Sequence, residues 1–353
     1  MLKDNKVLYS YNDIMIEPNG ISSINSRSEC VPFDENGKLP IFTAPMSTVI
    51  DENNFDLFQS NNIYAILPRN VNYQTRINFI NQGKWVALSL NEFKELFVDK
   101  KTEFTRTPKV LIDIANGHMK LMYDYVTRAK SNYENDIEIM VGNIANPETY
   151  HYCVKAGVDY VRVGIGGGSG CITSSNTAIH YPMASLINDI YLIKDKYYFN
   201  RKGLPKIIAD GGIRNYSDII KALALGADYV MVGSLFCSLI ESTGKIFYKN
   251  DNNEYFEVDT SKKILSYDNL YKLFYGMASK NGQYDINGAK TKTSEGISKY
   301  IKVTSNIETW VENMKDYLKS AMSYTNVKTI TDFNPKNITT IVISKNTQES
   351  INK

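Results

Sequence analysis

Residues 160–182 read YVRVGIGGGSGCITSSNTAIHYP. An apolar run at 160–164 leads into three glycines at 166–168, and a small polar loop that carries Cys171 follows. This order predicts a buried strand that runs into a loop where the backbone closely approaches another group. Such loops carry the functional residues of α/β proteins, so Cys171 is a candidate nucleophile, although most free cysteines are buried and inert.

Short apolar runs recur along the chain, with helical patterns between them. This alternation indicates a parallel sheet, and eight units within roughly 200 residues favour a (β/α)8 TIM barrel. An open doubly wound sheet is the alternative. The predicted strands are residues 41–45, 63–67, 85–90, 110–115, 137–144, 160–165, 206–212 and 229–234.

Three of the intervening stretches have apolar residues at helical spacing and end near Gly or Asn. Cys153 lies in the second of them, where we expect it to pack and not to react. Ser217 and Asp218 open the third and are its expected N-cap. The three stretches are residues 52–61, 148–157 and 217–228.

The composition, with 43% hydrophobic and 22% charged residues, is that of an ordinary soluble globular protein. A net charge of +2 gives no reason to expect a nucleic-acid or membrane partner. The four cysteines lack CxxC spacing and there are three histidines, so a zinc site is not expected. Because the N-terminus has no apolar signal core and no long apolar run occurs, we expect a cytoplasmic protein with reduced thiols.

Residues 270–300 interrupt the alternation because they are polar, long and punctuated by glycine. A segment of this kind after the last barrel strand is either disordered or a mobile active-site flap, and we interpret it as a flap. Residues 303–325 predict a helix, and residues 336–353 form the C-terminal tail. No linker divides the chain, so we expect a single domain over residues 1–353.

The C-terminal ends of barrel strands carry the functional side chains. The ends of the last two strands are glycine-rich, and backbone N–H groups there suit a phosphate. Asp210 does not suit a phosphate, so it either accepts hydrogen bonds from ribose hydroxyls or caps the next loop. With Cys171 as thiolate nucleophile, these features indicate covalent chemistry on a phosphorylated small molecule. The expected phosphate set is Ser169, Gly212, Gly233 and Ser234.

The loop GIGGGSGC at 164–171 resembles the cysteine loop shared by inosine monophosphate (IMP) dehydrogenases and guanosine monophosphate (GMP) reductases. The resemblance implies a (β/α)8 barrel that assembles as a homotetramer. The matching segments follow the family order from about residue 8 to residue 330. They are YNDIMIEP at 11–18, APMSTV at 44–49, DIANGH at 113–118, VGNIANPETY at 141–150, the 207–234 stretch from IIADGG to VMVGS, FYGMAS at 274–279 and SEG at 294–296.

Two features favour the reductase branch of this family. Dehydrogenases commonly insert a pair of CBS modules after the second barrel strand, and residues 70–88 leave no room for one. Dehydrogenases also carry an Arg-Tyr pair that activates water, and no such pair stands between Met277 and Glu295. The alternatives are an IMP dehydrogenase without CBS domains, which uses NAD, and a catalytically inactive binder of purine nucleotides.

The resemblance to the reductases implies NADPH-dependent reductive deamination of GMP to IMP and ammonia. Cys171 attacks C2 of the guanine and forms a covalent thioimidate, which hydride then resolves. Thr173 and Glu295 match the positions that handle the protons of the leaving ammonia. The remaining implied positions are Gly276, Met277 and Lys292 at the purine, Asp113 and Asn143 near the nicotinamide, and the backbone carbonyls of Gly166, Gly168 and Cys171 at a potassium site.

The chain departs from the family pattern around the base and the cofactor. Ile172 and Ser174 replace the first Thr and the Arg of the family's CTTR, and Gly167 replaces a proline. Residues 68–70 read PRN where a His-Lys pair is frequent. The phosphate and ribose positions are kept, so a deoxy or modified purine nucleotide is a further alternative substrate.

Overall fold

A computed structural model describes residues 6–168, 170–198, 201–258, 266–288 and 293–351. Its strands are β1 Ile14–Ile16, β2 Ile41–Thr43, β3 Ile66–Leu67, β4 Trp85–Leu88, β5 Lys109–Asp113, β6 Glu138–Ile144, β7 Tyr160–Val163, β8 Lys206–Asp210, β9 Tyr229–Val232, β10 Ile246–Lys249, β11 Tyr255–Glu257, β12 Leu270–Tyr275, β13 Ser298–Lys302 and β14 Thr340–Val342. Its α-helices are α1 Phe55–Ser60, α2 Tyr73–Asn81, α3 Leu90–Phe93, α4 Lys120–Asn132, α5 Thr149–Ala156, α6 Thr173–Thr177, α7 Met183–Tyr198, α8 Tyr216–Ala224, α9 Ser234–Cys237, α10 Lys280–Asn287, α11 Ile307–Tyr324 and α12 Lys345–Ile351.

Strands β2 to β9 form a closed parallel barrel. Each strand from β3 to β9 pairs with its neighbour along the chain, and β9 returns to pair with β2. The barrel closes between β2 and the start of β3, where the Thr43 N–H donates to the Tyr64 carbonyl (2.8 Å). The eight predicted strands and the (β/α)8 fold are confirmed, and the alternative of an open sheet is wrong.

Aromatic side chains fill the N-terminal end of the barrel interior. Tyr64, Trp85, Tyr160 and Tyr229 stand at or just before the first residues of their strands, and Phe42 packs among them. The Phe42 and Tyr64 rings stack with centroids 4.8 Å apart, and Tyr229 meets Phe42 edge-on at 5.3 Å. Because this end is filled, the opposite end, where the strands terminate, is left for a ligand.

A four-stranded antiparallel sheet, in the order β11-β10-β12-β13, follows the barrel. The predicted flap at 270–300 lies partly in this sheet, since β12 and β13 flank α10, and residues 289–292 lie outside the described residues. The sequence did not predict this sheet. One reason is that Lys272 occupies a buried position of β12 between Leu270 and Phe274 and interrupts the apolar alternation.

The chain ends pack against each other. Strand β14 pairs antiparallel with β1, with Ile14 opposite Val342, so part of the C-terminal tail is a strand. The helix predicted over residues 303–325 is confirmed as α11. In the described part of the chain, no helix combines the length and the apolar character that crossing a membrane requires.

The N-cap predicted for the third helical stretch is wrong. Helix α8 begins at Tyr216, and the residue before it, Asn215, accepts the Asp218 N–H through its side chain (3.1 Å). Ser217 and Asp218 are therefore inside the first turn, where Asp218 instead accepts the backbone N–H of Arg214 (2.9 Å). Several short polar residues stand together here, and only the backbone path decides which of them caps the helix.

Candidate active site

A cavity of about 200 Å³ opens at the C-terminal end of the barrel. The strand ends after β2, β8 and β9 form one side of it, and the cysteine loop and the predicted flap form the other. The sequence analysis gave no individual role to several lining residues, among them Met46, Gly170, Phe274 and Gly296, although each lies in a segment that it singled out. The predicted site residues on its wall are Gly168, Cys171, Asp210, Gly212, Gly233, Ser234, Gly276, Met277 and Glu295.

Three predicted residues form one hydrogen-bonded chain beside this cavity. The Cys171 thiol donates to the Thr173 hydroxyl, with 3.2 Å between Sγ and Oγ1. The Thr173 hydroxyl in turn donates to Glu295 Oε2 at 2.8 Å. A thiol connected through a hydroxyl to a carboxylate has a route by which its proton can leave, which is what a cysteine nucleophile needs.

Backbone pairing holds the cysteine loop against the flap. The Ile172 N–H donates to the Glu295 carbonyl (2.9 Å), and Cys171 forms an antiparallel bridge with Gly296, so Cys171 and Glu295 come from paired segments. Glycine permits the close packing here: a Cβ on Gly170 would lie 2.8 Å from the Phe274 ring, and a Cβ on Gly276 would lie 2.7 Å from the Gly170 carbonyl oxygen. Any side chain at these two positions would push the flap away from the loop.

The other three cysteines are unsuited to chemistry. Cys30, Cys153 and Cys237 are buried, whereas Cys171 is partly exposed at the cavity. Burial raises the pKa of the Cys153 thiol to about 12 and that of the Cys237 thiol to about 12. A buried thiol with a raised pKa is inert, so Cys171 is the cysteine that can meet a substrate.

Arg162 connects the predicted ribose residue to the predicted cofactor residues. Its guanidinium contacts Asp113 Oδ1 through Nη1 (2.7 Å) and Asp210 Oδ2 through Nε (3.0 Å). The Asn143 amide nitrogen donates to the same Asp210 oxygen (2.7 Å) and to the Gly164 carbonyl (2.8 Å). These contacts use Asp210 Oδ2 and both amide hydrogens of Asn143, so Asp210 Oδ1 and Asn143 Oδ1 are available to accept from a ligand.

Arg162 was missed as a site residue. The signal that could have found it is a single charged residue inside the apolar run at 160–164, because a charge in a buried strand requires a partner.

The expected phosphate set is only partly suited to its role. Gly233 and Ser234 stand at the end of β9 and the start of α9 on the cavity wall. The Gly212 N–H, in contrast, donates to the Gly167 carbonyl (2.8 Å), so this donor is already used. Ser169 lies outside the described residues, as does Lys292 of the purine set.

The predicted potassium ligands belong to one tight loop. The Gly168 carbonyl accepts the Cys171 N–H at 3.0 Å, which leaves its second lone pair for a cation. Gly166 lines a neighbouring cavity, of about 230 Å³, together with Tyr11 and Ser174. The chemistry of backbone carbonyls fits a hard cation.

Comparison with known proteins agrees with this geometry. Residues 8–352 match the family model described as IMP dehydrogenase / GMP reductase domain. A GMP reductase of Staphylococcus epidermidis is 30% identical over 332 residues, which cover 90% of this chain and 91% of that protein. The GMP reductases of Bacillus subtilis and Helicobacter pylori are 30% and 29% identical over 331 residues, covering 90% of this chain and 91% and 90% of theirs.

Proposed function

Because the chain belongs to the IMP dehydrogenase / GMP reductase family, we propose that it is a GMP reductase that converts GMP to IMP and ammonia with NADPH. The observation that carries this proposal is the hydrogen-bonded chain from Cys171 through Thr173 to Glu295. It supplies a nucleophile together with a route for the protons that the leaving ammonia requires.

The nucleotide occupies the cavity beside Cys171. Its phosphate lies at Gly233 and Ser234, where backbone N–H groups and a strand end suit an anion. The free Oδ1 of Asp210 accepts from the ribose hydroxyls. The purine edge lies against the backbone of Gly276 and Met277, with Gly212 shaping the loop behind the phosphate. Ser169 and Lys292 join this set on the family resemblance alone.

The chemistry begins when the Cys171 proton passes through Thr173 to Glu295. The thiolate attacks C2 of the guanine, and the carbon–nitrogen bond to the exocyclic amine breaks as that amine takes a proton from the same pair. Ammonia leaves, and a thioimidate joins Sγ to C2. Hydride addition at C2 then breaks the carbon–sulfur bond and returns Cys171 to its thiolate form.

The residues near this site also fit the cofactor. NADPH supplies the hydride when it is bound. Asn143 and Asp113 would hold the nicotinamide end, because the Asn143 Oδ1 can accept from a carboxamide N–H. A potassium ion at the carbonyls of Gly166, Gly168 and Cys171 would hold the cysteine loop. On the resemblance, we further propose a homotetramer in the cytoplasm.

The test is the loss of reduced-nicotinamide absorbance when purified protein is mixed with GMP and NADPH. Wild-type protein should oxidise NADPH and release ammonia in equal amounts. The Cys171→Ala variant should lose at least about three orders of magnitude in kcat while it still binds GMP. Formation of xanthosine monophosphate from IMP with NAD, in place of this reaction, would refute the proposal in favour of a dehydrogenase.

A second candidate substrate is a deoxy or modified purine nucleotide. The observation in its favour is that Ile172 and Ser174 depart from the family pattern, whereas the ribose and phosphate positions do not. A panel of purine nucleotides in the same assay separates the two. GMP as clearly the best substrate by kcat/KM would exclude this second candidate.

A further inference from the structure

Arg162 lies between the two halves of the proposed site and touches both. Only 8% of the residue is exposed. Its guanidinium reaches Asp113 at the end of β5 and Asp210 at the end of β8, two strands that are not neighbours. A Cβ on Gly142 would lie 2.5 Å from the Arg162 Cβ, so β6 packs closely against the stem of the arginine. The position of the Arg162 side chain is therefore fixed at its Cβ by β6 and at its guanidinium by two carboxylates.

One cation serves two carboxylates in this arrangement. A guanidinium presents its N–H groups in a planar fork and can hold two acceptors at once, which a point charge does less well. Without it, the carboxylates of Asp113 and Asp210, which contact the same guanidinium, would lose the counter-charge that they share in a largely buried place. Removing one partner of a buried charge network is costly because the remaining charges stay desolvated.

We infer that Arg162 is a positioning residue that couples the nucleotide subsite to the nicotinamide subsite. This inference rests on the proposed function, since it takes Asp210 as the ribose acceptor and Asp113 and Asn143 as the cofactor side. Arg162 holds Oδ2 of Asp210 and so leaves Oδ1 for the ribose, and it cancels the charge of Asp113, which would otherwise displace Asp210 from this position. It acts through these carboxylates and makes no contact with the reacting atoms.

The test is the affinity for GMP alone, measured by calorimetry on the full chain. Arg162→Met should weaken GMP binding by about 30-fold or more, the range for removing one partner of a buried charge pair. Adding Asp113→Asn to that variant removes the repulsion, so at least about tenfold of the affinity should return. This rescue is the decisive readout, because a purely structural loss would become worse with a second substitution.

A matched control is Arg76, another buried arginine, which is 5% exposed and pairs with Glu92 at 2.7 Å outside the site. Arg76→Met should lower the melting temperature and leave the GMP affinity unchanged. If Arg162→Met fails to fold, Arg162→Lys provides the second test: because it keeps the charge, it should weaken GMP binding by less than about 30-fold.

The outcomes separate the two proposals. Wild-type protein that does not bind GMP contradicts the proposed function, and this inference falls with it. Suppose instead that wild-type protein binds GMP, that the double variant recovers no affinity for GMP, and that Arg162→Lys loses about 30-fold or more of it. That result overturns the role of Arg162 and leaves the proposed function standing.

Discussion

At the scale of single residues, the proposed nucleophile is distinguished from the other cysteines by its surroundings and not by its type. All four cysteines have the same thiol, and burial raises the pKa of Cys153 and Cys237 to about 12. Cys171 stands at a cavity with a hydroxyl and a carboxylate in series behind it. We therefore expect the reactivity of Cys171 to depend on Thr173 and Glu295 as well as on the sulfur.

Substitutions that break this proton route should slow the reaction while GMP still binds. We expect Thr173→Val and Glu295→Gln each to lower kcat by about 10² to 10⁴, the range for a lost general acid or base, with a smaller change in the KM for GMP. Steady-state NADPH oxidation measures both parameters. The control is Thr177→Val, which removes a hydroxyl that donates to the Thr173 carbonyl (2.7 Å) and accepts the Ile179 N–H (3.2 Å) but is not part of the proton route. An equal loss of kcat in the control would contradict this proton route.

At the scale of elements, one carboxylate fastens the flap helix to the barrel. Asp285 of α10 accepts from the Ser47 hydroxyl (2.6 Å), which follows β2, and from the Tyr275 hydroxyl at the end of β12 (2.7 Å). Ser47 is also 3.7 Å from the sulfur of Met277 on the cavity wall. The position of α10 is thereby linked to the wall of the site.

Removing this charge should loosen α10. Asp285→Asn replaces two charge-assisted hydrogen bonds with neutral ones, and we expect amide hydrogen exchange in residues 280–287 to become about tenfold faster. The KM for GMP should rise as well. Asp268→Asn is the control, because the Asp268 carboxylate accepts from the Ser266 hydroxyl of its own turn (2.7 Å). Unchanged exchange in Asp285→Asn would show that other contacts hold the helix.

The cap of helix α8 offers a direct comparison between sequence and structure. Asn215 accepts the Asp218 N–H, whereas Ser217, the residue that the sequence suggested, only donates to Asn215 (2.7 Å). Asn215→Ala should therefore lower the free energy of unfolding by about 1 kcal/mol, and Ser217→Ala should change it less. Urea unfolding of the two variants measures both values. A larger loss of stability in Ser217→Ala than in Asn215→Ala would show that Ser217 caps the helix, as the sequence indicated.

At the scale of the whole molecule, a buried lysine should make stability depend on pH. Lys272 is 1% exposed, and its ammonium donates to the Ile240 carbonyl (2.8 Å) and to the Ser242 carbonyl. Burial lowers its pKa to about 8, from an ordinary value of 10.5. Between these two values the unfolded chain holds the proton that the folded chain has lost, so the contribution of Lys272 to stability rises with pH across this window.

The Lys272→Met variant tests this dependence. The unfolding free energy of wild type minus that of the variant should rise by up to about 3 kcal/mol from below pH 8 to pH 10.5. The difference is used because burial also raises the pKa of tyrosines, that of Tyr275 to about 12, and these lower stability at high pH in both proteins. A difference that stays constant with pH would contradict the lowered pKa.

The sequence alone determined the barrel and most of the residues around its cavity. The reason is periodicity, since apolar runs separated by helical patterns require a parallel sheet, and a closed parallel sheet places the residues after each strand at one end. Asp210 is the last residue of β8, Gly233 follows β9 directly, and Cys171 lies in the loop after β7, so all three could be found in this way.

Only the tertiary structure decided how these residues are connected. The charge of Arg162 is visible in the sequence, but its partners lie 48 and 49 residues away along the chain and meet it only when the barrel closes. The sheet of β10 to β13 was hidden for a related reason, because the carbonyls that satisfy the buried Lys272 come from a different segment. Sequence patterns record local periodicity, whereas the compensation of a buried charge depends on groups that folding brings together.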